Sequence, residues 1–384
     1  MPQRRHAMSS SSRIIATDVA IVGGGIVGAS AALALRRKGV DVLLLEHDLC
    51  GARASGVNYG GVRRQGRPLS QLPLAQRAHQ IWADLPALIG TDGEYLRSGH
   101  FKIARSQADL QALESYQALS RDFDLGLELL SGASLRQRCP WLGSHALGGS
   151  LCPQDGQANP RLVSPALARA AQRAGAQIHE RTPLDEVLHD GRQFLLRSGR
   201  HLQVRAPVLL NCAGAWAGAL AAQFGEAVPL RSGHPAMAVT EPLPMFLPWS
   251  LGVEGGSIYC RQAARGNLVL GGGSGLALDA ERARSQRSAI AALAVQAIEL
   301  LPALRNAHFI RTWSGTEGYL PDHQPVLCQS RRRPGLIHGF GFSGAGFQLG
   351  PAVGEVLAEL ACDGRSSTPI EAFAIERFAA HIPT

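Results

Sequence analysis

Residues 17–28 read TDVAIVGGGIVG, a short apolar run that breaks into glycine and then turns apolar again. The run predicts a buried strand, a tight turn and the start of a helix. Gly23, Gly25 and Gly28 stand at the G-x-G-x-x-G positions, with Ile26 and Val27 between the last two. In that pattern the first glycine permits the turn and the second lets backbone approach a pyrophosphate. The third lets helix pack on strand, so that phosphates meet the helix N-terminus. An alanine-rich helix over residues 29–37 and a second strand, DVLLL at 41–45, complete a βαβ unit. Glu46 ends that strand about 20 residues after the glycines, where an acid holds a ribose hydroxyl, and His47 stands beside it. The whole context predicts dinucleotide binding.

Bulk properties narrow the remaining choices. A chain of 384 residues holds two to three domains' worth of core. No apolar run is long enough for a membrane span, and residues 1–13, basic and serine-rich without an apolar centre, read as a disordered lead-in and not a secretory signal. The net charge of +8 comes almost wholly from arginines scattered along the chain, since the lysines are Lys38 and Lys102 alone. No dense basic run alternates with aromatics, so nucleic acid is not an expected partner. An anionic small substrate suits the charge better. The seven cysteines are dispersed, with no C-x-x-C and no zinc-ligand spacing, so no metal is expected. They read as reduced thiols of a cytoplasmic protein.

Helices are predicted over 74–88, 107–122, 159–174, 282–300 and 350–362. Strands are predicted at 101–104, 177–179, 184–189, 194–198, 208–212, 236–240, 257–261, 267–270 and 336–339. Rossmann-like pieces thus lie at the start, middle and end of the chain, with β-rich pieces between them. The fold class is mixed α/β. A cofactor-binding domain (14–95, 150–225 and 310–384) is interleaved with a β-rich domain (96–149 and 226–309).

Two further stretches belong with the first glycine turn. Residues 208–216, VLLNCAGAW, run from a buried strand into small residues. Cys212, Ala213, Gly214 and Trp216 would then lie beside a cofactor, and Val187 on the preceding strand could pair its backbone with an adenine. Residues 339–351, GFGFSGAGFQLGP, crowd glycine before a helix. Gly341, Ser343, Gly344, Ala345, Gly346, Phe347 and Gln348 would turn main-chain N–H groups and a helix start toward an anionic ligand.

With these pieces in place the chain resembles the D-amino-acid-oxidase/sarcosine-oxidase class of FAD-dependent amine oxidoreductases. The likeness rests on the glycine turn with Glu46, ASGVNYGGVR at 54–63, NCAGAW at 211–216, WSGTEGYLPDHQP at 313–325 and the stretch 341–354. Residues 239–244, 261–262 and 271–273 are most similar to the flavin subunits of D-hydroxyproline and opine dehydrogenases and to the beta chains of sarcosine oxidases. The resemblance implies FAD between a Rossmann-like domain and a β-rich substrate domain. It implies that the loop with Ser55, Asn58, Tyr59, Gly60, Gly61 and Val62 passes the flavin ring. It places Gly315 in the site and Asp322 near the ribityl chain.

The departures from that class are informative. The lysine that monomeric sarcosine oxidases use for substrate carboxylate is Gln348 here, and the one that assists oxygen reduction aligns with Val269. Without a cation at the flavin, transfer of electrons to oxygen loses its stabilisation. The expected activity is therefore dehydrogenation of a secondary or D-configured amino acid, of the D-hydroxyproline, opine or sarcosine type. Hydride passes to flavin N5, water hydrolyses the imine, and electrons go on to a non-oxygen acceptor or to a partner subunit with a second redox centre. A peroxide-forming oxidase and a non-catalytic flavin-holding subunit are the alternatives. No His or Cys stands where the class attaches flavin covalently, so the FAD is expected to be non-covalent. Arg63, Arg64 or Arg261 could hold the substrate carboxylate; Tyr259, Gln262 and Tyr319 could orient the amine; Glu317 or His338 could take a proton.

Overall fold

A computed structural model describes residues 13–381; apart from Arg13, the expected disordered lead-in lies outside them. The strand Val19–Val22 sits inside a six-stranded sheet. Its neighbours are Val42–Leu45 and then Gln177–His179 on one side, and Val208–Asn211, Leu336–Phe340 and Val326–Gln329 on the other. All pairs are parallel except the last, which runs antiparallel. Parallel strands covered on both faces must be apolar at successive residues. Val19, Ile21, Val42 and Leu44 accordingly face one core, while Ala20, Leu43 and Leu45 face another.

On the first face lie the helices Ile26–Arg37, Pro160–Arg173 and Gly346–Asp363. They touch closely because small residues meet: a Cβ on Gly354 would stand 2.4 Å from Ser30 Cβ. On the second face lies a four-stranded sheet, ordered Arg13–Ala16, Leu202–Ala206, Phe194–Ser198 and Glu186–His189, which contributes Phe194, Leu196 and Val204 to the core.

An eight-stranded sheet forms the other half. Its order is Phe309–Ser314, Pro235–Pro242, Asn267–Ser274, Tyr259–Gln262, Ser250–Val253, His100–Ala104, Gly148–Cys152 and Glu128–Ser131. The Arg287–Leu300 helix covers it through Leu293, Ala297 and Leu300. The chain enters this sheet twice, so the two halves are interleaved. The sheet also takes in Gly148–Cys152 and Phe309–Ser314, which extend past the borders drawn from sequence.

Some predicted elements differ in extent for local reasons. The helix expected over 74–88 is two helices, Leu72–Ala83 and Leu85–Ile89, because Pro86 has no N–H to carry the first one onward. The helix expected from 282 begins at Arg287, since Ala283–Arg284 pairs with Leu276–Ala277 in a small ribbon.

His338 is fully buried in the six-stranded sheet. Its Nε2 lies 2.9 Å from Glu226 Oε2, and its Nδ1 faces Asn211 Nδ2 at 3.3 Å. These contacts occupy both ring nitrogens in structural work, away from the cavity described below. Burial alone would raise the Glu226 carboxyl. Hydrogen bonds from His338, Ser330 and the Arg331 backbone outweigh it and hold the group below the carboxylate range. A lowered folded pKa stabilises above the unfolded value of 4.5, and that stability is lost as pH falls through the folded pKa. Breaking a buried pair costs about 3 kcal/mol. Glu226→Gln should therefore melt well below wild type at neutral pH, and calorimetry should find the gap narrowing as pH drops under 4.5.

Candidate active site and cofactor cleft

The carboxyl ends of the parallel strands open onto one long cleft of about 370 Å³, where ligands of such sheets bind. Gly23 has φ +104° and lies so close to the next strand that a Cβ would come 2.4 Å from the Cys212 carbonyl oxygen. Gly28 serves the turn from behind, where a Cβ would meet the Gly23 carbonyl at 2.0 Å. The Ile26–Arg37 helix therefore begins at the floor of the cleft. Its first turn holds no acid, and Ile26 N donates to Ser55 Oγ at 2.9 Å. Glu46, nine-tenths buried, accepts from Gly24 N at 2.5 Å and from Asp48 N at 2.7 Å.

The loop after residue 53 runs along the opposite wall. Asn58 ties it into a compact turn: its side-chain amide donates to the Ala54 and Ser55 carbonyls, and its Oδ1 accepts from Gly60 N at 2.9 Å. Trp313 Nε1 donates to the Val57 carbonyl at 2.7 Å and fixes the loop to the eight-stranded sheet. Gly315 leaves room for Val57, whose Cγ2 lies 2.3 Å from where a Cβ would be.

At the far end of the cleft Tyr59 folds back over Gly61 and packs on Tyr259, with ring centroids 4.6 Å apart. Arg261 Nε donates to the Tyr59 carbonyl from the adjoining strand. Tyr319 donates to Glu317 Oε2 at 2.9 Å, and both face Gly344. Burial raises the Glu317 carboxyl, the Tyr319 hydrogen bond opposing it only in part. Burial likewise raises the Tyr259 and Tyr319 phenols.

Of the residues singled out from sequence, the cleft is lined by Gly23, Gly25, Ile26, Val27, Glu46, His47, Ser55, Asn58, Tyr59 and Gly61 on the first side. Cys212, Ala213, Gly214, Trp216, Glu317, Gly341, Ser343, Gly344, Gly346 and Phe347 complete the set. Gly28, Gly60, Val62, Gly315 and Ala345 stand just behind this lining as packing positions. Tyr259, Tyr319, Arg261 and Arg63 border its far end through Tyr59 and Glu317.

Four residues are placed elsewhere. Val187 is buried in the four-stranded sheet, its carbonyl taken by Gln223, and the lining at that point is Thr182 and Leu184 instead. Gln348 turns into the helix interface and donates to the Ala75 carbonyl at 2.9 Å. Gln262 is buried on the opposite face of its strand from Arg261. It binds the loop at 243–247 by donating to the Pro244 carbonyl and accepting from Phe246 N and Leu247 N. Asp322 is paired with Arg377 at 2.7 Å.

A feature with no sequence signal crosses the mouth of the cleft. The 276–284 hairpin of the second half reaches over and puts Glu281 in the lining. His47 Nε2 lies 3.1 Å and Arg53 Nη2 3.3 Å from the Glu281 carboxylate. Arg53 Nη1 donates to the Glu281 carbonyl at 2.8 Å, and Trp216 Nε1 to the Ala280 carbonyl at 3.2 Å.

The family of FAD dependent oxidoreductases designated DAO matches residues 18–360. The chain belongs to this family. It is 28% identical to an opine oxidase subunit of Rhizobium meliloti, over 94% of this chain and 98% of that one. It is 27% identical to human mitochondrial sarcosine dehydrogenase, of which it spans 41%. Glycine oxidase of Geobacillus kaustophilus is 27% identical in sequence over 94% of this chain and 97% of that one. A crystal structure of the enzyme from that species superposes with a TM-score of 0.88, covering 94% of this chain and 99% of that chain at 23% identity. The fold of L-proline dehydrogenase from P. horikoshii is shared likewise, with a TM-score of 0.87 over 97% of this chain and all of that one.

As a DAO-family flavoprotein the chain binds FAD, and the cleft fits it. Glycine at Gly23 and Gly25 would admit the pyrophosphate to the helix N-terminus. Each Glu46 oxygen keeps a lone pair free for a ribose hydroxyl. The long, mainly apolar channel runs on toward Tyr59 and Gly344 for the ring. In this setting the Arg53–Glu281 bridge would act as a clasp over bound cofactor. An exposed bridge contributes under about 1 kcal/mol, so Glu281→Ala should speed FAD release about two- to fivefold, read from the fluorescence of freed flavin on dilution.

Proposed function

We propose that this DAO-family enzyme oxidises a secondary or D-configured amino acid at the Tyr59–Glu317 end of the cleft and passes the electrons to an acceptor other than oxygen. The observation that carries the reading is the half-buried Glu317–Tyr319 pair in the cleft, near Tyr259, whose ring packs on Tyr59, with Arg63 and Arg261 set against Tyr59. An acceptor on the Tyr259 side and cations on the Tyr59 side suit the two ends of an amino acid. A cation in a desolvated site recognises the carboxylate, and Glu317 with Tyr319 orients the amine and receives its proton. The flavin, when bound, takes the hydride from the substrate C–H. The Tyr59–Tyr259 stack excludes water from the reacting carbon, and hydrolysis of the C=N product follows.

The non-oxygen acceptor is supported by Val269, which stands where oxygen-activating lysines align, and by Lys102, whose ammonium is held 2.5 Å from Glu254. The similarity to a subunit of opine oxidase supports a partner chain as carrier of the second redox centre. Non-covalent attachment is supported by Cys212, the thiol in the lining, which burial pushes up to about 12 and so keeps protonated and poorly nucleophilic. Seven unpaired cysteines support a reducing compartment such as the cytoplasm. The peroxide-forming alternative has one observation on its side. Lys102, remote in sequence, lies close in space to the Arg63 turn, its Nζ 3.1 Å from a Cβ built on Gly66.

An anaerobic screen of D- and N-substituted amino acids, read by loss of the oxidised flavin band, tests the reaction. At least one amine should bleach the flavin, and reoxidation in air should be far slower than with an artificial dye. Failure of every amine to bleach it overturns the reading, and stoichiometric peroxide overturns the choice of acceptor. Glu317→Gln should slow anaerobic reduction about 10²-fold, the lower range for a general base. It should also remove from the pH profile an ionisation lying above the carboxyl's ordinary 4.5.

A further inference from the structure

Arg63, Arg64 and Arg67 lie on the turn after Tyr59, behind the cleft and outside its lining. Arg63 is half-buried, within reach of water, and donates to the Gln65 carbonyl. Arg64 is buried and engaged: its Nε lies 3.3 Å from Asp155 Oδ1, and its Nη1 donates to Gln76 Oε1 at 2.7 Å. Lys102 reaches the same turn, its Nζ 3.1 Å from a Cβ built on Gly66, and is paired with Glu254. Arg67 is left over. It is 6% exposed, no carboxylate among the described residues pairs with it, and its buried Nε has no hydrogen-bond partner.

A second donor at this turn is also unspent. Ser150 stands opposite Lys102 where the His100–Ala104 and Gly148–Cys152 strands pair, so the two side chains leave the same face of the sheet. On that face His100 Nδ1 meets Gln65 Oε1 at 3.0 Å, and Gln65 Nε2 donates to the Ser150 carbonyl at 2.9 Å. The Ser150 hydroxyl is buried and has no partner. The remaining polar groups supply no negative charge. Burial together with the nearby cations keeps His100 neutral. Tyr59 and Tyr116 are phenols that burial keeps protonated, and Tyr116 donates to the Arg67 carbonyl at 3.0 Å. A buried guanidinium without a counter-charge and a buried hydroxyl without a partner are both costly to keep. A water molecule would satisfy the donors and leave the charge. A small anion answers both.

We infer that Arg67 and Ser150 hold a chloride ion behind Tyr59, in the field of Lys102 and Arg63. The ligand is an inorganic halide because the unspent groups are donors, which ask only for an acceptor, and because Arg67 is too enclosed to suit an organic acid. The site is separate from the cleft and independent of which amine is oxidised. Arg63 and Arg67 both act on the Tyr59 phenol, whose ring packs on Tyr259, so the ion steadies the Tyr59 wall of the cleft from behind.

The FAD-loaded enzyme can be melted at fixed ionic strength while sodium gluconate is exchanged stepwise for sodium chloride. The midpoint should climb by about 3 °C or more and then level off, as for a single site that fills. Bromide should act like chloride, and fluoride, which holds its water more tightly, should do little. Arg67→Gln should abolish the dependence, and Arg67→Lys should recover part of it. Ser150→Ala should raise the chloride concentration at half effect by about threefold or more. Crystals grown in bromide should show the ion, by its anomalous scattering, between Arg67 and Ser150. A midpoint indifferent to chloride, a bromide peak only in the cleft or nowhere, or a full chloride response in Arg67→Gln overturns the inference. A bromide peak at Arg67 with no rise in midpoint marks an adventitious ion only and overturns it as well. The two wild-type measurements decide even if the variants do not fold.

Discussion

Everything in the cofactor half depends on how closely Gly23 approaches the Cys212 carbonyl. That contact lets the first turn and the end of the Val208–Asn211 strand share one edge of the cleft, and it is open only to a residue without a Cβ. The same demand repeats outward. Gly28 clears the Gly23 carbonyl, Gly350 clears Ile26 and Gly354 clears Ser30, so the first and last long helices of the chain pack side by side. Segments more than 300 residues apart in sequence are thus held to a common floor by missing methyl groups.

The second constraint is electrical. One end of the cleft gathers tyrosines and a carboxyl, with guanidinium groups behind Tyr59, where exposure to water is limited, so each is pressed to find a partner or change protonation. Tyr259, Tyr319 and Glu317 respond by staying protonated more readily. Arginine has no such outlet near neutral pH, even where burial lowers Arg67 to about 9. The unpaired arginines therefore keep their charge, and the site keeps its appetite for anions.

How much of this could be read from the chain follows from what each position must satisfy. The glycine turn, the Ala213–Gly214 corner and the 341–347 run were legible because a backbone requirement writes itself as residue type. The strand pattern of the six-stranded sheet was legible because both its faces are apolar. Side-chain direction was harder. Arg261 and Gln262 are neighbours on one strand and must point to opposite faces, so both could not reach the site. Gln348 looked like a ligand when its helix was expected to start at 350. With the helix beginning at Gly346, the residue turns toward Leu72–Ala83. Val187 missed the cleft because the lining is made by Leu184, just before the strand begins. Glu281 and Arg67 had no signal at all: one is a surface-type acid in a hairpin, and the other is hidden among 36 arginines in a chain whose Lys and Arg total 38.

The hairpin at 276–284 belongs by connectivity to one half of the molecule and by contact to the other. Because Glu281 meets His47 and Arg53 only where the eight-stranded half rests against the first, the roof of the cleft exists only while the two halves are docked. The floor at Gly23 needs only the parallel sheet. Retention of the cofactor would therefore report on whether the two halves are docked, and not on the cofactor half alone.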